Sequence, residues 1–222
     1  MPTPKGGYFL ANGERVPSVT TILDAWHPDG VEGLLSWANQ LGRQSKSHII
    51  ERTKAADAGT LCHAAIEKWI RREPVTWPGP IAWRGDPNVV ERARTSFSAF
   101  LRWADDSRLT ITHTETPMVS ERHRFGGTPN AAMFQGRRVL LDWKTSSAIH
   151  LDHLVQVGGG YRILWDENHP DDPVQGFTIL RFDRDTGDYH THSYGNIDEA
   201  ARAFLLLRRL YEIAQNLRTR TK

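Results

Sequence analysis

The chain reads as a mixed α/β (α+β) fold: a central mixed β-sheet flanked by helices, with a mainly helical N-terminal part over residues 1–108 and the core sheet within 109–222. Three patterns predict it. Residues 121–144 alternate apolar and polar positions about Gln135-Gly136, as a hairpin does. Alternation over 109–113, 116–120 and on both sides of Asp185-Thr186-Gly187 supplies further strands, with 174–183 and 189–194 as a terminal hairpin. Apolar residues recur at helical spacing over 59–70, 89–105, 151–165 and 197–217. A chain of 222 residues can bury one sizeable core, so 1–222 is expected to be a single domain.

Composition narrows the class. Hydrophobic residues make up 39% and charged residues 24%, a balance that folds rather than staying disordered. Net charge is +2, so bulk charge does not announce a nucleic-acid partner. Arg71-Arg72, the arginines from Arg92 to Arg102, and Arg218 to Lys222 are local basic clusters, by default solvated helix faces. The single Cys62 excludes an intrachain disulfide framework and a four-cysteine iron–sulfur cluster. No apolar run approaches the roughly 20 residues of a membrane span, and the opening Met-Pro-Thr-Pro-Lys-Gly-Gly lacks a signal peptide's apolar stretch, so a cytoplasmic protein is expected.

In chain order, Tyr8-Phe9-Leu10, a turn at Asn12-Gly13 and Val16 predict a small hairpin. Pro17-Ser18-Val19-Thr20 then leads into a helix reaching Trp26, with Ser18 or Thr20 as its cap; two hydroxyls at a helix start also suit a phosphate. Residues 34–44 and 47–56 read as surface helices separated by glycine breaks. A further helix is expected to open at Gly59 with Thr60 as cap, placing His63 and Glu67 four residues apart on one face. Such a pair serves either as a surface interaction or as part of a site. Residues 74–87 form a loop whose Trp77 and Trp83 either anchor it by burial or stack on the bases of a single strand. An amphipathic helix over 89–105 follows, and then one long or bent strand ended by Glu121, which can pair with Arg122 or Arg124.

The apolar run Val139-Leu140-Leu141 predicts a buried strand from which Asp142 and Lys144 emerge on one face, since side chains alternate. A metal-dependent phosphodiesterase needs that pairing: a hard oxygen ligand for Mg²⁺ or Mn²⁺, and a cation that orients water or stabilises charge on the phosphate. Standing alone, Asp-x-Lys is also a common surface cross-pair. Thr145-Ser146-Ser147 either offers hydroxyls and N–H groups to a phosphate or simply ends the strand. Gly158-Gly159-Gly160 inside the next helix costs roughly 2–3 kcal/mol relative to alanine, which implies a close backbone approach to the sheet or to DNA.

Gly126-Gly127-Thr128-Pro129-Asn130 followed by Val139 to Ser146 resembles the signature of PD-(D/E)XK nucleases of the RecB-like branch, with Asp142-Trp143-Lys144-Thr145-Ser146 its most specific part. Gly59-Thr60-x-x-His63-x-x-x-Glu67 resembles the His-bearing helix of that branch, and Val16 to Thr20 resembles the "PSVT" stretch of phage-type exonucleases and of the mitochondrial genome maintenance exonuclease. Gln156 and Tyr161 resemble its Gln-x-x-x-Tyr element with one residue more between them, so an ideal helix sets them about 140° apart rather than about 40°.

The resemblance implies a restriction-endonuclease-like core and a phage-encoded, Mg²⁺- or Mn²⁺-dependent DNA exonuclease. It would act on DNA ends or single strands in a bacterial or phage-infected cell, beside a phage recombination or replication partner and without an iron–sulfur cluster. It implies that His63, position 130, Asp142 and Trp143 form the metal side, and that Lys144, Glu67, Gln156 and Tyr161 serve catalysis. Glu121 joins them as a carboxylate at the separation from position 130 where relatives carry Glu. Ser18, Thr20, Thr145, Ser146, Trp77 and Trp83 are the DNA-side candidates. Asn130 stands where the family has a metal-binding Asp, which implies an inactive or impaired form. A DNA-binding protein that has lost catalysis, or a structure-specific endonuclease, are the alternatives.

Overall fold

A computed structural model describes residues 4, 6–24, 26, 32–79, 86–107, 110–134, 136–146 and 148–220. Trp83, Leu109, Gln135 and Ser147 lie outside them. The N-terminal hairpin pairs β1 (Tyr8–Phe9) with β2 (Arg15–Val16), and α1 (Val19–Leu23) follows with Ser18 as its cap, Oγ accepting the Thr21 N–H at 3.0 Å. After α2 (Glu32–Arg43) comes α3 (His48–Ile70). No separate helix opens at Gly59. Thr60, expected as a cap, instead donates its hydroxyl to the Ala56 carbonyl within α3 at 3.0 Å. Gly59 is tolerated mid-helix because α3 lies against the end of a strand there: a Cβ would come 3.0 Å from Thr145 Oγ1.

Next come α4 (Pro87–Ser107), β3 (Thr110–His113), β4 (Met118–Ser120), β5 (Phe125–Gly127), β6 (Asn130–Phe134) and β7 (Arg137–Lys144). The long or bent strand expected over 109–120 is two strands in different sheets, with β4 paired only to β5. The break has a local cause. Glu115 adopts φ +46°, a conformation that a residue with a Cβ takes at a cost of about 1–2 kcal/mol, and Pro117 has no N–H to give a ladder. The chain closes with α5 (Leu151–Val155), a π-helical turn (Gln156–Tyr161), α6 (Arg162–Asn168), β8 (Phe177–Phe182), β9 (Tyr189–Tyr194) and α7 (Asp198–Arg220).

The central five-stranded sheet runs β3-β6-β7-β8-β9, antiparallel except for the parallel β7–β8 pair, and so it is mixed as expected. Alternation along β7 splits the core in two. Leu140 packs with Ala131, Ile179, Tyr161, Leu164 and Phe204 on the face covered by α1, α5, α6 and α7. Val139, Leu141 and Trp143 pack with Cys62, Ile66, Phe97, Phe100 and Phe182 on the face covered by α3 and α4. No described helix is long and apolar enough to cross a membrane.

The three glycines belong to the π-helical turn, and the element they approach is protein. A Cβ on Gly158 would come 2.6 Å from the Phe177 ring, on Gly159 2.4 Å from the Ala200 carbonyl oxygen, and on Gly160 2.8 Å from Val19. Gly159 therefore sets how closely α7 docks. We expect Gly159→Ala to lower stability by about 1–3 kcal/mol or more, since a backbone oxygen cannot swing aside. Gly42→Ala, in α2 with nothing within 4 Å, should instead raise it by about 0.5–1 kcal/mol. Urea denaturation midpoints of the two variants check this.

Candidate functional site

A cleft of about 370 Å³ opens where the start of α1, the middle of α3, the end of β7 and the π-helical turn converge. Its walls include Ser18, Thr20, His63, Trp143, Lys144, Thr145, Ser146, Gln156 and Tyr161, nine of the residues singled out in the sequence. A larger hollow, about 1000 Å³ between the N-terminal hairpin and α7, shares only Ser18 with that set.

Asp142 is fully buried, and among the described residues neither of its carboxylate oxygens has a hydrogen-bond partner. Lys144 Nζ lies 2.9 Å from Oδ2, an ion pair without hydrogen-bond geometry. The ammonium donates to Gln156 Oε1 at 2.7 Å, and Gln156 Nε2 donates to the Tyr161 hydroxyl at 3.0 Å. The extra residue between Gln156 and Tyr161 is what makes this chain of bonds fit. A π-helical turn bonds i to i+5, so five residues return the side chain to nearly the same face, where an α-helix would need four. Burial, together with the Asp142 charge, pushes the Tyr161 phenol above its ordinary range, so it stays protonated.

On the α3 side, His63 bonds the main chain of Trp143, and its Nδ1 is buried without a partner among the described residues. Desolvation, aided by the Lys144 charge and opposed by the Trp143 bond, lowers its pKa to about 3, so the imidazole is neutral and its lone pair free to bind a cation.

Asn130 is fully buried at the start of β6. Its Oδ1 accepts the Glu115 N–H at 2.9 Å and the Thr114 hydroxyl at 3.2 Å, while Nδ2 is buried without hydrogen-bond geometry to any described residue, although the side chain acts on the Glu115 carboxyl. Two donors thus fix which end of the amide is the acceptor. The oxygen is committed to the chain, and the N–H₂ end is left over. Asn130 pairs directly with Leu141, so the register sets its side chain on the α3 face, whereas Asp142 alternates to the other. The two meet through Glu115, a residue that sequence reasoning missed. Desolvation first, then the charges of Glu67 and Asp142, outweighs an opposing interaction with the Asn130 side chain and pushes the Glu115 carboxyl up to about 7, while its Oε2 is buried without a hydrogen-bond partner among the described residues. Its one signal in the sequence is an isolated carboxylate two residues before a proline, inside an otherwise strand-like stretch.

The remaining candidates fall elsewhere. Glu67 is close enough to act on Glu115 but is paired with Arg71 at 2.5 Å. Glu121 is exposed and accepts the Ala11 N–H at 2.7 Å, where it ties the N-terminal hairpin to the end of β4 rather than joining Asp142. Trp77 is partly buried, with its ring edge-on to Phe97 at 5.8 Å and Arg94 over it at 5.7 Å, contacts that anchor the loop against α4. Trp83 lies outside the described residues.

The partnerless acceptors of Asp142, Glu115 and His63 are groups that a divalent cation takes as ligands. Among the described residues, though, no three His, Cys, Asp or Glu side chains come together closely enough to hold one. Asn130 does not complete the set, because the atom it leaves over is a donor.

No family model matches the chain, and no curated protein does. Among solved structures, a crystal structure of LHK-Exo in complex with dAMP is similar over 76% of this chain and 92% of that one, with 12% identity and a TM-score of 0.35. A likeness of that size fixes neither family nor activity.

Because Glu115 is protonated more readily folded than unfolded, its contribution to stability is present below about pH 4.5 and is lost as pH rises through about 7. In chelator, Glu115 should subtract up to about 3 kcal/mol from the unfolding free energy across that window, against the rise that the lowered pKa of His63 gives up to about pH 6.5. Glu115→Gln should remove the Glu115 loss, so that urea titrations show the variant gaining up to about 3 kcal/mol more stability than the parent between pH 5 and pH 8.

Proposed function

We propose that the chain is built as a metal-dependent DNA nuclease of the PD-(D/E)XK type, an exonuclease of the RecB-like, phage-encoded kind, here disabled at position 130. The observation that carries this reading is the buried, partnerless Asp142 carboxylate with Lys144 beside it, the lysine braced by Gln156 and Tyr161 at the wall of an open cleft. A purely structural ion pair would need neither a brace nor an opening.

As the chain stands, Asp142, Glu115 and neutral His63 fall short of holding a cation; with a carboxylate at position 130 they, with the Trp143 main chain, would be the groups to take Mg²⁺ or Mn²⁺. The cation, when bound, would supply Lewis acidity toward the scissile phosphate. Lys144 has three N–H donors, of which Gln156 takes one and Asp142 faces another. The third remains for a water or a phosphate oxygen in the cleft. Ser18 already accepts the Thr21 N–H, and Ser146 donates to the Ala148 carbonyl, so these hydroxyls would meet phosphate through what is left over. Thr20 and Thr145 complete the polar wall. Tyr161, kept protonated, braces Gln156 and takes no proton.

One observation favours a second reading, a DNA-binding protein that has kept this cleft and lost catalysis: the Asn130 oxygen is taken by the chain, and the N–H₂ end left over is a donor that cannot ligate a cation.

End-labelled linear DNA with Mn²⁺ separates the two readings. Asn130→Asp should gain degradation by at least about 100-fold over the chain as it stands, the scale of one electrostatic contributor to a transition state. Failure of Asn130→Asp to cleave linear or circular DNA, while the Asn130 form binds DNA, would favour the second reading; cleavage of circles would indicate an endonuclease. Adding Lys144→Ala to Asn130→Asp should abolish turnover and change DNA affinity only a few-fold, because Lys144 acts on charge that develops in the transition state.

A further inference from the structure

Helix α7 has two apolar faces, and the fold uses one. Ala200, Ala203, Phe204, Leu207 and Tyr211 turn inward against the core on the α1 and π-turn side. Leu206, Leu210, Ile213 and Leu217 form a second stripe and are 72%, 58%, 42% and 56% exposed. At about 100° per residue this stripe is centred roughly 110° from the buried face, so inward packing does not account for it. Its steps of four, three and four residues are the seam spacing of paired helices.

The stripe is complementary to itself when turned end for end. A two-fold axis midway between Leu210 and Ile213 sets Leu206 against the second copy's Leu217, and Leu210 against its Ile213, so all four apolar positions are covered without a gap. Charge selects the same direction. One heptad before Leu206 the line carries Glu199, and one heptad after Ile213 it carries Arg220. Antiparallel pairing brings Arg220 to the level of the small Ala203, one turn from Glu199, within the reach of an arginine. Parallel pairing would set Glu199 on Glu199 and Arg220 on Arg220, and would align the helix dipoles unfavourably. At the flank, Arg209 is already paired with Glu212 on its own helix at 2.9 Å, so closing the seam strands no charge there.

We infer that α7 is a self-association surface, on which two copies of this chain pair antiparallel through Leu206, Leu210, Ile213 and Leu217. The inference does not depend on the nuclease reading. An isologous contact of this kind closes on itself and stops at two.

Sedimentation equilibrium of the full chain over a concentration series tests it. The expected mass is twice that of the 25.2 kDa chain. Leu210→Lys with Ile213→Lys should weaken association on the order of 100-fold or more, with the far-ultraviolet spectrum and melting of the monomer kept, since both side chains are exposed. Direction is read with cysteines. Cys62 is fully buried, so it does not interfere. A mixture of Leu206→Cys and Leu217→Cys chains should form the intermolecular disulfide. Leu206→Cys alone should not, because its two copies would sit about 16 Å apart along the seam, beyond disulfide reach. A monomer at every concentration, a dimer indifferent to the double lysine variant, or efficient self-linking of Leu206→Cys alone would each overturn the inference.

Discussion

Burial of the Asp142 carboxylate at the end of β7 is the constraint that orders its surroundings. A carboxylate without hydrogen-bond partners in the interior is among the costliest groups that a fold can carry, and here it is offset by one ammonium at 2.9 Å. For that ammonium to stay in place it must itself be held, and Gln156 does so at 2.7 Å, fixed in turn by Tyr161. The tie requires a π-helical turn, the turn requires glycines where its backbone meets Phe177, Ala200 and Val19, and those contacts dock α1 and α7. Sheet, turn and terminal helix are thus linked through one charge.

The fold was largely legible because its signals are periodic. Alternation in β6, β7, β8 and β9 and helical spacing in α4 and α7 each answer to burial on a known face, and burial is what sequence periodicity records. Asp142 and Lys144 could be placed together from alternation alone. The Gln156–Tyr161 spacing sets the two side chains about 140° apart on an ideal helix, and the π-helical turn is what brings them together.

What could not be read depended on contacts between segments distant in sequence. Gly59 looked like a helix start because glycine usually breaks helices, yet its lack of a Cβ serves contact with Thr145, 86 residues on in the chain. Glu115 was hidden because its role comes from a left-handed backbone turn and from the charges of Glu67 and Asp142, none of which leaves a local pattern. Glu121 sits at a suggestive spacing, but the Ala11 N–H claims it. For Asn130 the residue type was visible and its orientation was not: the Glu115 N–H and the Thr114 hydroxyl decide that its oxygen faces the chain and that the N–H₂ is the end left over.

On the proposed reading that orientation decides the outcome, since a donor stands where a cation would need an oxygen. The same two donors that hold the amide oxygen would hold one oxygen of an aspartate, leaving the other in place of Nδ2 beside Glu115. Without metal the added charge would repel; with metal it would bind. The direct measurement is the melting temperature of Asn130→Asp and of the Asn130 chain, each in chelator and in Mn²⁺. The account predicts that the variant melts lower than the parent in chelator and is raised by Mn²⁺ by the equivalent of about 2–3 kcal/mol at 100 times its Kd, with little Mn²⁺ effect on the parent. Equal responses of the two proteins to Mn²⁺ would contradict it.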